Sequence, residues 1–199
     1  MDFTGVKIEA AAVWRATEEK PRPDVAFVPP LVRRRLTGVE RSALAVAYAV
    51  WPAEEADAQL PVVFASRWGE IGVTAKLIRQ MHEEGEMSPA GFSSSVHNAA
   101  PGMLSLLKRD HAEYTAVAAQ ERTIHAGLLE ALSRRSRVVF VYAEESTPEL
   151  FLPEFEFPQP ACAVAVRLDA SQWRWQGDPV PPKCDFEMFV SALPSVSIV

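Results

Sequence analysis

The chain has 199 residues, of which 48% are hydrophobic and 23% are charged, and its formal net charge is −6. This is the composition of an ordinary globular protein, and the length is enough for one domain with its own core, so we expect a single domain over residues 1–199. The acidic balance argues against a general nucleic-acid-binding protein, because such a protein needs a basic face to neutralise phosphates.

The sequence shows no targeting or anchoring segment. No apolar run approaches the roughly 20 residues that a membrane-spanning helix requires, and the first residues lack the basic stretch and apolar run of a signal peptide. A cytoplasmic location is therefore expected. Cys162 and Cys184 fit that compartment, and we interpret them as two unrelated thiols because neither stands in a C-x-x-C motif or a histidine-rich cluster.

Hydrophobic patterning in the first third of the chain predicts a strand, a helix and a second strand. Residues 6–14 are expected to form the first strand, and a proline-rich loop follows. Over residues 31–51 the apolar side chains recur at helical spacing; they are Leu36, Val39, Ala43, Val46 and Val50. Residues 61–66 are apolar and rich in β-branched side chains, which indicates a buried strand.

The middle of the chain predicts two more helices. A helix over residues 72–84 would place its apolar residues on one face; they are Val73, Leu77, Ile78 and Met81. Residues 88–95 are predicted to be a loop. Residues 96–110 are predicted to be helical toward their C-terminal end, with Pro101 near the helix start or at a kink.

The rest of the chain continues the alternation. Residues 113–119 and 137–145 predict strands, and the helix expected between them carries Ile124, Leu128 and Leu132 on one stripe. An acidic, proline-rich loop is expected over residues 144–160, and a last strand over 162–170. A loop over 177–183 and a short final helix over 185–193 complete the pattern. Strand–helix alternation of this kind indicates an α/β fold with a mixed or parallel sheet.

A serine–histidine pair is a weak hypothesis for catalysis. Ser94, Ser95 and His97 lie close in sequence, but no G-x-S-x-G motif surrounds the serines. Catalytic pairs form by convergence in space, so nearness in sequence is poor evidence for one. We therefore interpret His97 as a hydrogen-bonded structural histidine. An acyltransferase or hydrolase that uses Ser95 and His97 is kept as a third hypothesis, after the two functions given below.

The sequence predicts neither a metal nor a cofactor. His82 is followed by two glutamates at a predicted helix end, and His111 and His125 are isolated, so these groups read as solvated or structural. Gly69 and Gly72 follow a strand but lack the G-K-[ST] or G-x-G-x-x-G pattern of a nucleotide site.

A run of three arginines, Arg33–Arg34–Arg35, stands at the predicted start of the first helix. It is either a solvated face or a docking site for an acidic partner such as an acyl carrier protein.

Residues 61–132 resemble the N-terminal part of β-ketoacyl synthases. The family shows a Ser-Pro pair, an asparagine nine residues after the proline and a glycine four residues further on; here these are Ser88–Pro89, Asn98 and Gly102. The order of segments resembles most the short β-ketoacyl synthase-like proteins of aryl polyene and type II polyketide clusters. This resemblance implies a thiolase-like α/β fold, here a single N-terminal-type half with a mixed sheet and packed helices.

The chain departs from the enzymes of that family at the nucleophile. The resemblance implies a cysteine where the strand over 113–119 meets the next helix, but Gln120 or Glu121 stands there. Neither side chain forms the acyl thioester that condensation needs. Chain length factors, the inactive partners of type II polyketide ketosynthases, have glutamine at this place. The catalytic histidines of the family come from its C-terminal half, and because this sequence has about half the usual length of the family we expect that half to be missing.

The resemblance therefore implies a non-catalytic, chain-length-factor-like subunit that forms a heterodimer with a full-length β-ketoacyl synthase, and with an acyl carrier protein as a further candidate partner. The strand that joins the two subunits' sheets in the family corresponds to Tyr114, Thr115, Ala116, Val117, Ala118 and Ala119. Candidate acyl-tunnel residues are Phe92, Ser95, His97 and Asn98. Two alternatives remain: a homo-oligomeric acyl- or aryl-binding protein, and a self-contained monomer in which the 113–119 strand is interior.

Overall fold

A mixed six-stranded sheet organises the chain in a computed structural model, which describes residues 5–53, 58–154, 160–174 and 184–199. The strand order is β3-β2-β4-β5-β1-β6. The strands are β1 (Lys7–Arg15), β2 (Val62–Ala65), β3 (Tyr114–Val117), β4 (Arg137–Glu144), β5 (Cys162–Asp169) and β6 (Ser197–Ile198). β2 runs parallel to both β3 and β4, whereas β5 pairs antiparallel with β4 and β1. The α/β class and the mixed sheet predicted from the sequence are confirmed.

Helices cover both faces of the sheet, as the buried apolar strands require. They are α1 (Pro30–Arg33), α2 (Gly38–Val50), α3 (Ile71–Glu84), α4 (Pro89–Ser93), α5 (Ala99–Lys108), α6 (Thr123–Ser133) and α7 (Phe186–Ser191). No helix in the described ranges is long and apolar enough to cross a membrane.

One face of the sheet packs against α2 and α5. The apolar face of α2, which includes Leu44 and Val46, meets Phe64 of β2 and Val141 of β4 in this core. A capping box fixes the start of α2, because the Thr37 side chain and the Glu40 side chain each accept a hydrogen bond from the other residue's backbone N–H.

The opposite face packs against α6 and α7. Ile124, Leu128 and Leu132 are all buried there, which confirms the predicted stripe of α6. Gly127 lets α6 approach closely, since a Cβ atom at this position would lie 2.8 Å from both Ala65 Cβ and Phe140 Cε2. Phe189 of α7 packs edge-on against Phe140, with 5.8 Å between ring centroids.

Several predicted boundaries are wrong. The helix expected over 31–51 is divided: α1 ends at Arg33, and α2 begins only at Gly38 because Thr37 caps it, so Leu36 lies between the two helices. Arg33 is therefore the last residue of a helix, and Arg34 and Arg35 follow that helix instead of starting one. The predicted loop over 88–95 contains α4, since Ser88 caps the helix and Pro89 occupies its first position.

Three further predictions need correction. The face predicted for α3 is wrong in part, because Ile78 and Met81 are about half exposed and the helix instead buries Ile71, Ala75 and Leu77. The loop expected over 144–160 contains a 3-10 helix at Glu149–Glu154. β5 is not the last strand, since β6 pairs with β1. The loop predicted over 177–183 lies outside the described residues.

Candidate functional site

The connection between β3 and α6 is a tight strand-to-helix turn. β3 ends at Val117, a 3-10 turn spans Gln120–Arg122, and α6 begins at Thr123. Gln120 has a φ of 55°, in the left-handed region that side chains other than glycine rarely adopt. The sequence-based prediction that Gln120 and Glu121 lie at such a turn is confirmed. A sharp strand-to-helix turn is the arrangement that presents an exposed nucleophile in several enzyme folds.

A single buried hydroxyl holds this turn together. Thr123 Oγ1 accepts a 3.0 Å hydrogen bond from the Ala119 backbone N–H and donates a 2.7 Å bond to the Gln120 carbonyl. Both bonds are local contacts of the kind that Thr side chains make at helix starts. They satisfy backbone groups on the two sides of Gln120 and so stabilise its unusual conformation.

Gln120 and Glu121 border a cleft of about 330 Å³ between this turn and α7. Other lining residues are Arg67, Thr123, Ile124, Tyr142, Cys184, Asp185, Phe186 and Met188. Cys184 thus lies beside the turn despite its distance along the chain. Burial, followed by the charge of Asp185, raises the pKa of its thiol. Raising the pKa keeps the thiol protonated, the opposite of what a nucleophilic cysteine requires.

No histidine lines this cleft among the residues that the structure describes. His125 lies two residues into α6, but it is buried and its Nδ1 atom has no partner within the described chain. Burial lowers its pKa. Among the described residues, the lining of the cleft thus has the Cys184 thiol but no imidazole beside it.

A buried carboxyl group contacts the backbone of Arg67, one of the residues that line the cleft. Glu144, at the end of β4, accepts hydrogen bonds from the Ser66 hydroxyl at 3.1 Å and from the Arg67 backbone N–H. Burial raises the pKa of Glu144 to about 7, against the opposing effect of these hydrogen bonds. Ser66 Oγ also accepts a 2.7 Å bond from Gly69 N–H. Glu144 thereby anchors the turn that follows β2.

β3 forms one edge of the described sheet. The carbonyl groups of Glu113 and Val117 accept hydrogen bonds from Val62 and Ser66, at 3.0 and 3.2 Å. Because backbone groups alternate in direction along a strand, Thr115 also faces β2, whereas the N–H and C=O groups of Tyr114 and Ala116 point away from the sheet. This free edge is open to another strand. The alternative of an interior strand is not supported within the described residues.

The candidate tunnel residues lie around α4 and the start of α5. Phe92 is 59% exposed. Ser95 Oγ donates to the Phe92 carbonyl at 2.8 Å, whereas His97 Nε2 lies 2.8 Å from the Ser66 carbonyl. Ser95 and His97 therefore have different partners, which does not favour a catalytic pair. Asn98 precedes α5 but makes no side-chain cap. The predicted role of these four residues in an acyl tunnel stays a prediction.

A second, larger groove lies across the N-terminal turns of α2 and α3. It has a volume of about 610 Å³, and its lining includes the cationic residues Arg34, Arg35, Lys76 and Arg79. All four are exposed, and none forms an ion pair within 4 Å in the part of the chain that the structure describes. In a chain with net charge −6, this is a local concentration of positive charge.

Carboxyl groups converge beneath this groove. Glu70, which precedes α3, accepts a 3.0 Å hydrogen bond from the Thr37 hydroxyl, and its Oε2 atom is buried without a partner among the described residues. Burial raises the pKa of Glu70 to about 8, with Glu40 and Glu145 adding to the effect and the Thr37 bond opposing it. Within the described chain, no cluster of histidine, cysteine and acidic residues fits a metal ion.

Comparison with protein families decides the classification. A family model described as "Beta-ketoacyl synthase, N-terminal domain" matches residues 8–188. The chain belongs to this family. No curated protein matches it in sequence.

Solved structures agree with the β-ketoacyl synthase assignment. One similar structure is the complex of the ketosynthase ApeO with its chain length factor ApeC from Xenorhabdus doucetiae. The matched chain of that complex is 22% identical to this chain and superposes with a TM-score of 0.72, over 82% of this chain and 78% of that one. A β-ketoacyl synthase from Burkholderia phymatum STM815 is 13% identical, with a TM-score of 0.53 over 80% of this chain and 52% of that one. The family resemblance and the thiolase-like fold are confirmed, and the chain spans about half the length of the Burkholderia synthase.

Sequence reasoning missed two residues of this β-ketoacyl synthase-like site. Cys184 lines the cleft beside Gln120, and Glu144 bonds to the backbone of Arg67, another lining residue; both contacts arise only through the fold. Glu144 carried a detectable signal, because a carboxylate at the end of an apolar strand must be buried with partners or exposed at a functional edge. No local signal marked Cys184.

Proposed function

We propose that this chain is a non-catalytic, chain-length-factor-like subunit that pairs with a complete β-ketoacyl synthase. The observation that carries the proposal is Gln120 in a left-handed conformation at the turn between β3 and α6. The resemblance assigns the nucleophile to this turn, and the strained φ favours Gln120 over Glu121 as the equivalent position. An amide or a carboxylate cannot accept an acyl group as a thioester.

The cleft at this turn supports the absence of condensing activity. A helix N-terminus favours a thiolate, so α6 offers an environment for a nucleophile without supplying one. No histidine lines the cleft in the described residues, and the Cys184 thiol has a raised pKa. In this proposal the cysteine and both histidines come from the ketosynthase partner.

The free edge of β3 is the proposed contact with that partner. A strand from the ketosynthase would bond to the outward backbone groups of Tyr114 and Ala116. Exposed apolar surface flanks the edge, since Tyr114 is 41% and Leu106 of α5 is 76% exposed. A stable interface needs at least about 1,000 Å² of buried surface in total, so α5 would contribute as well. The similar structure with a ketosynthase bound to its chain length factor supports pairing with a ketosynthase.

The substrate class in this proposal follows from the family resemblance. A growing acyl chain, polyunsaturated and in some members aryl-capped, would extend from the partner's cysteine toward Phe92, Ser95, His97 and Asn98. The shape of that end would set product length, because each methylene gained or lost changes burial by roughly 0.8 kcal/mol.

The basic groove supports docking of an acyl carrier protein. The acidic surface of a carrier protein would interact with the cationic side chains of the groove, which are Arg34, Arg35, Lys76 and Arg79. Charge complementarity of this kind steers association and fixes orientation. Two of the three consecutive arginines, Arg34 and Arg35, thus belong to a spatial cluster that includes two cations of α3.

Co-expression with candidate full-length β-ketoacyl synthases, followed by size-exclusion chromatography, tests the proposal. We expect a one-to-one complex that Ala116→Pro disrupts while the fold persists, because proline removes an outward N–H that β2 does not use. Thr115→Pro is the matched control: it removes an N–H that faces β2 and should damage the fold itself. Val117 packs against the α6-side core, so a charge there would test folding instead.

Two results would contradict the proposal. The first is a stable homo-oligomer that ignores the ketosynthase, which favours the alternative of an acyl- or aryl-binding protein. The second is a complex that Ala116→Pro leaves intact, which places the interface away from β3.

A further inference from the structure

Glu145 lies on the floor of the basic groove, between the first turns of α2 and α3. Its Oε1 atom accepts a 2.6 Å hydrogen bond from the Gly72 backbone N–H. Two glycines make room for the carboxylate: a Cβ atom on Gly38 would lie 3.0 Å from Oε2, and one on Gly72 would lie 2.6 Å from it. The Glu145 carboxylate thus occupies space that side chains at positions 38 and 72 would otherwise fill.

The surroundings of Glu145 are those of an anion-binding site. The first turn of a helix presents unsatisfied N–H groups and a partial positive charge, and α3 is long enough, at 14 residues, for this to matter. Burial raises the pKa of the Glu145 carboxyl, whereas the Gly72 N–H bond and the charge of Lys76 oppose that effect and favour the anion. Arg34, Arg35 and Arg79 line the same groove. An anion in the groove is therefore favoured, and the protein's own carboxylate is that anion.

We infer that Glu145 is a specificity-determining residue, an internal anion that competes with an acidic partner for the floor of the groove. The inference rests on the proposed docking of a carrier protein. Without a partner, Glu145 satisfies the Gly72 N–H and offsets part of the positive charge. A partner binds only if its own carboxylates or phosphate displace the Glu145 carboxylate, or attract the cations of the groove more strongly than that carboxylate does. Weakly acidic proteins are therefore rejected.

Glu145→Gln tests this inference. Glutamine keeps an oxygen for the Gly72 N–H but removes the charge. Binding of a purified acyl carrier protein, measured by fluorescence anisotropy at low and at physiological salt, should tighten three- to tenfold at low salt, with a smaller gain at higher salt because the effect is electrostatic. Glu149→Gln is the matched control: Glu149 also lines the groove but is exposed and makes no contact with Gly72. It should change binding less than twofold.

Gly72→Ala provides a second, charge-conserving variant. The added methyl group would meet the Glu145 carboxylate at 2.6–2.9 Å, so the carboxylate must leave the floor of the groove. We expect tighter carrier binding than in the wild type, though less than in Glu145→Gln, because the charge stays near.

Failure of the inference and failure of the proposed docking give different results. If the double variant Arg34→Ala with Arg35→Ala leaves carrier binding unchanged, the groove is not the docking site. The proposed docking and the role of Glu145 are then both refuted. If that double variant weakens binding but Glu145→Gln does not tighten it, or tightens it no more than Glu149→Gln does, docking stands and the role of Glu145 is refuted.

Discussion

The Thr123 hydroxyl donates a 2.7 Å hydrogen bond to the carbonyl of Gln120, and this bond ties the first residue of α6 to the strained residue of the preceding turn. The same oxygen accepts from the Ala119 N–H. The geometry of the turn between β3 and α6 thus depends on the Thr123 side chain.

Replacing Thr123 with valine should destabilise the fold by about 1–3 kcal/mol, since the valine keeps the shape but leaves two backbone groups unpaired in a buried site. Thr123→Ser should lose less than half of that, because serine keeps the hydroxyl. Urea unfolding of the three proteins measures the difference. Equal stability of the valine and serine variants would mean that the hydroxyl does not hold the turn.

The purified chain should show no condensation of acyl and malonyl carrier proteins. Gln120→Cys and Glu121→Cys should each remain inactive, because a restored thiol would still lack the histidines that condensation needs. The measurement is product formation with radiolabelled malonyl carrier protein, and a complete ketosynthase serves as the positive control. Elongation by the wild-type chain alone would overturn the assignment as a non-catalytic subunit.

Stability should fall as pH rises from about 5 to about 8. The pKa of Glu70 is about 8 in the fold, above the value of about 4.3 expected in the unfolded chain. The native state therefore binds the proton more tightly, and this stabilisation is complete below the unfolded pKa and lost as pH passes through the folded one. Glu144, whose pKa is raised to about 7, acts in the same direction.

Glu70→Gln isolates the contribution of the first carboxyl. Glutamine can still accept the Thr37 hydrogen bond, but it carries no charge at any pH. The variant should exceed the wild type in unfolding free energy by on the order of 2–4 kcal/mol at pH 8.5, and its stability should vary less between pH 5.5 and 8.5. Parallel pH profiles for the two proteins would show that Glu70 is already ionised at neutral pH.

Much of the fold was predictable because its signals are local. β4 and the α6 stripe stand out since continuous β-branched runs and three- to four-residue spacing survive in any context. The division between α1 and α2 also has a local sequence signal, the Thr37-x-x-Glu40 pattern of a capping box. The Ser-Pro pair at the start of α4 is a local signal of the same kind. The predicted face of α3 failed because its periodicity was compatible with two faces and the packing of the rest of the fold selected one.

The site was predictable only where it lies on one segment of chain. The placement of Gln120 and Glu121 at a turn follows from the strand and helix patterns on either side of them, whereas their match to the nucleophile position is implied only by the family resemblance. The position of β3 at the sheet edge depends on pairings that span the chain, as does the approach of Cys184 to Gln120. The same holds for the basic groove, since Arg34 and Arg79 meet there only because Thr37 and Glu70 join the starts of two helices.

Amide hydrogen exchange along β3, with and without the bound ketosynthase, tests the pairing most directly. The Tyr114 and Ala116 amides point to the free edge and should exchange quickly in the isolated chain, then slow at least about tenfold in the complex. The Thr115 and Val117 amides face β2 and should be protected in both states. If the Tyr114 and Ala116 amides exchange equally with and without the ketosynthase while the complex stays intact, β3 is not the interface and the proposed pairing through this strand is wrong.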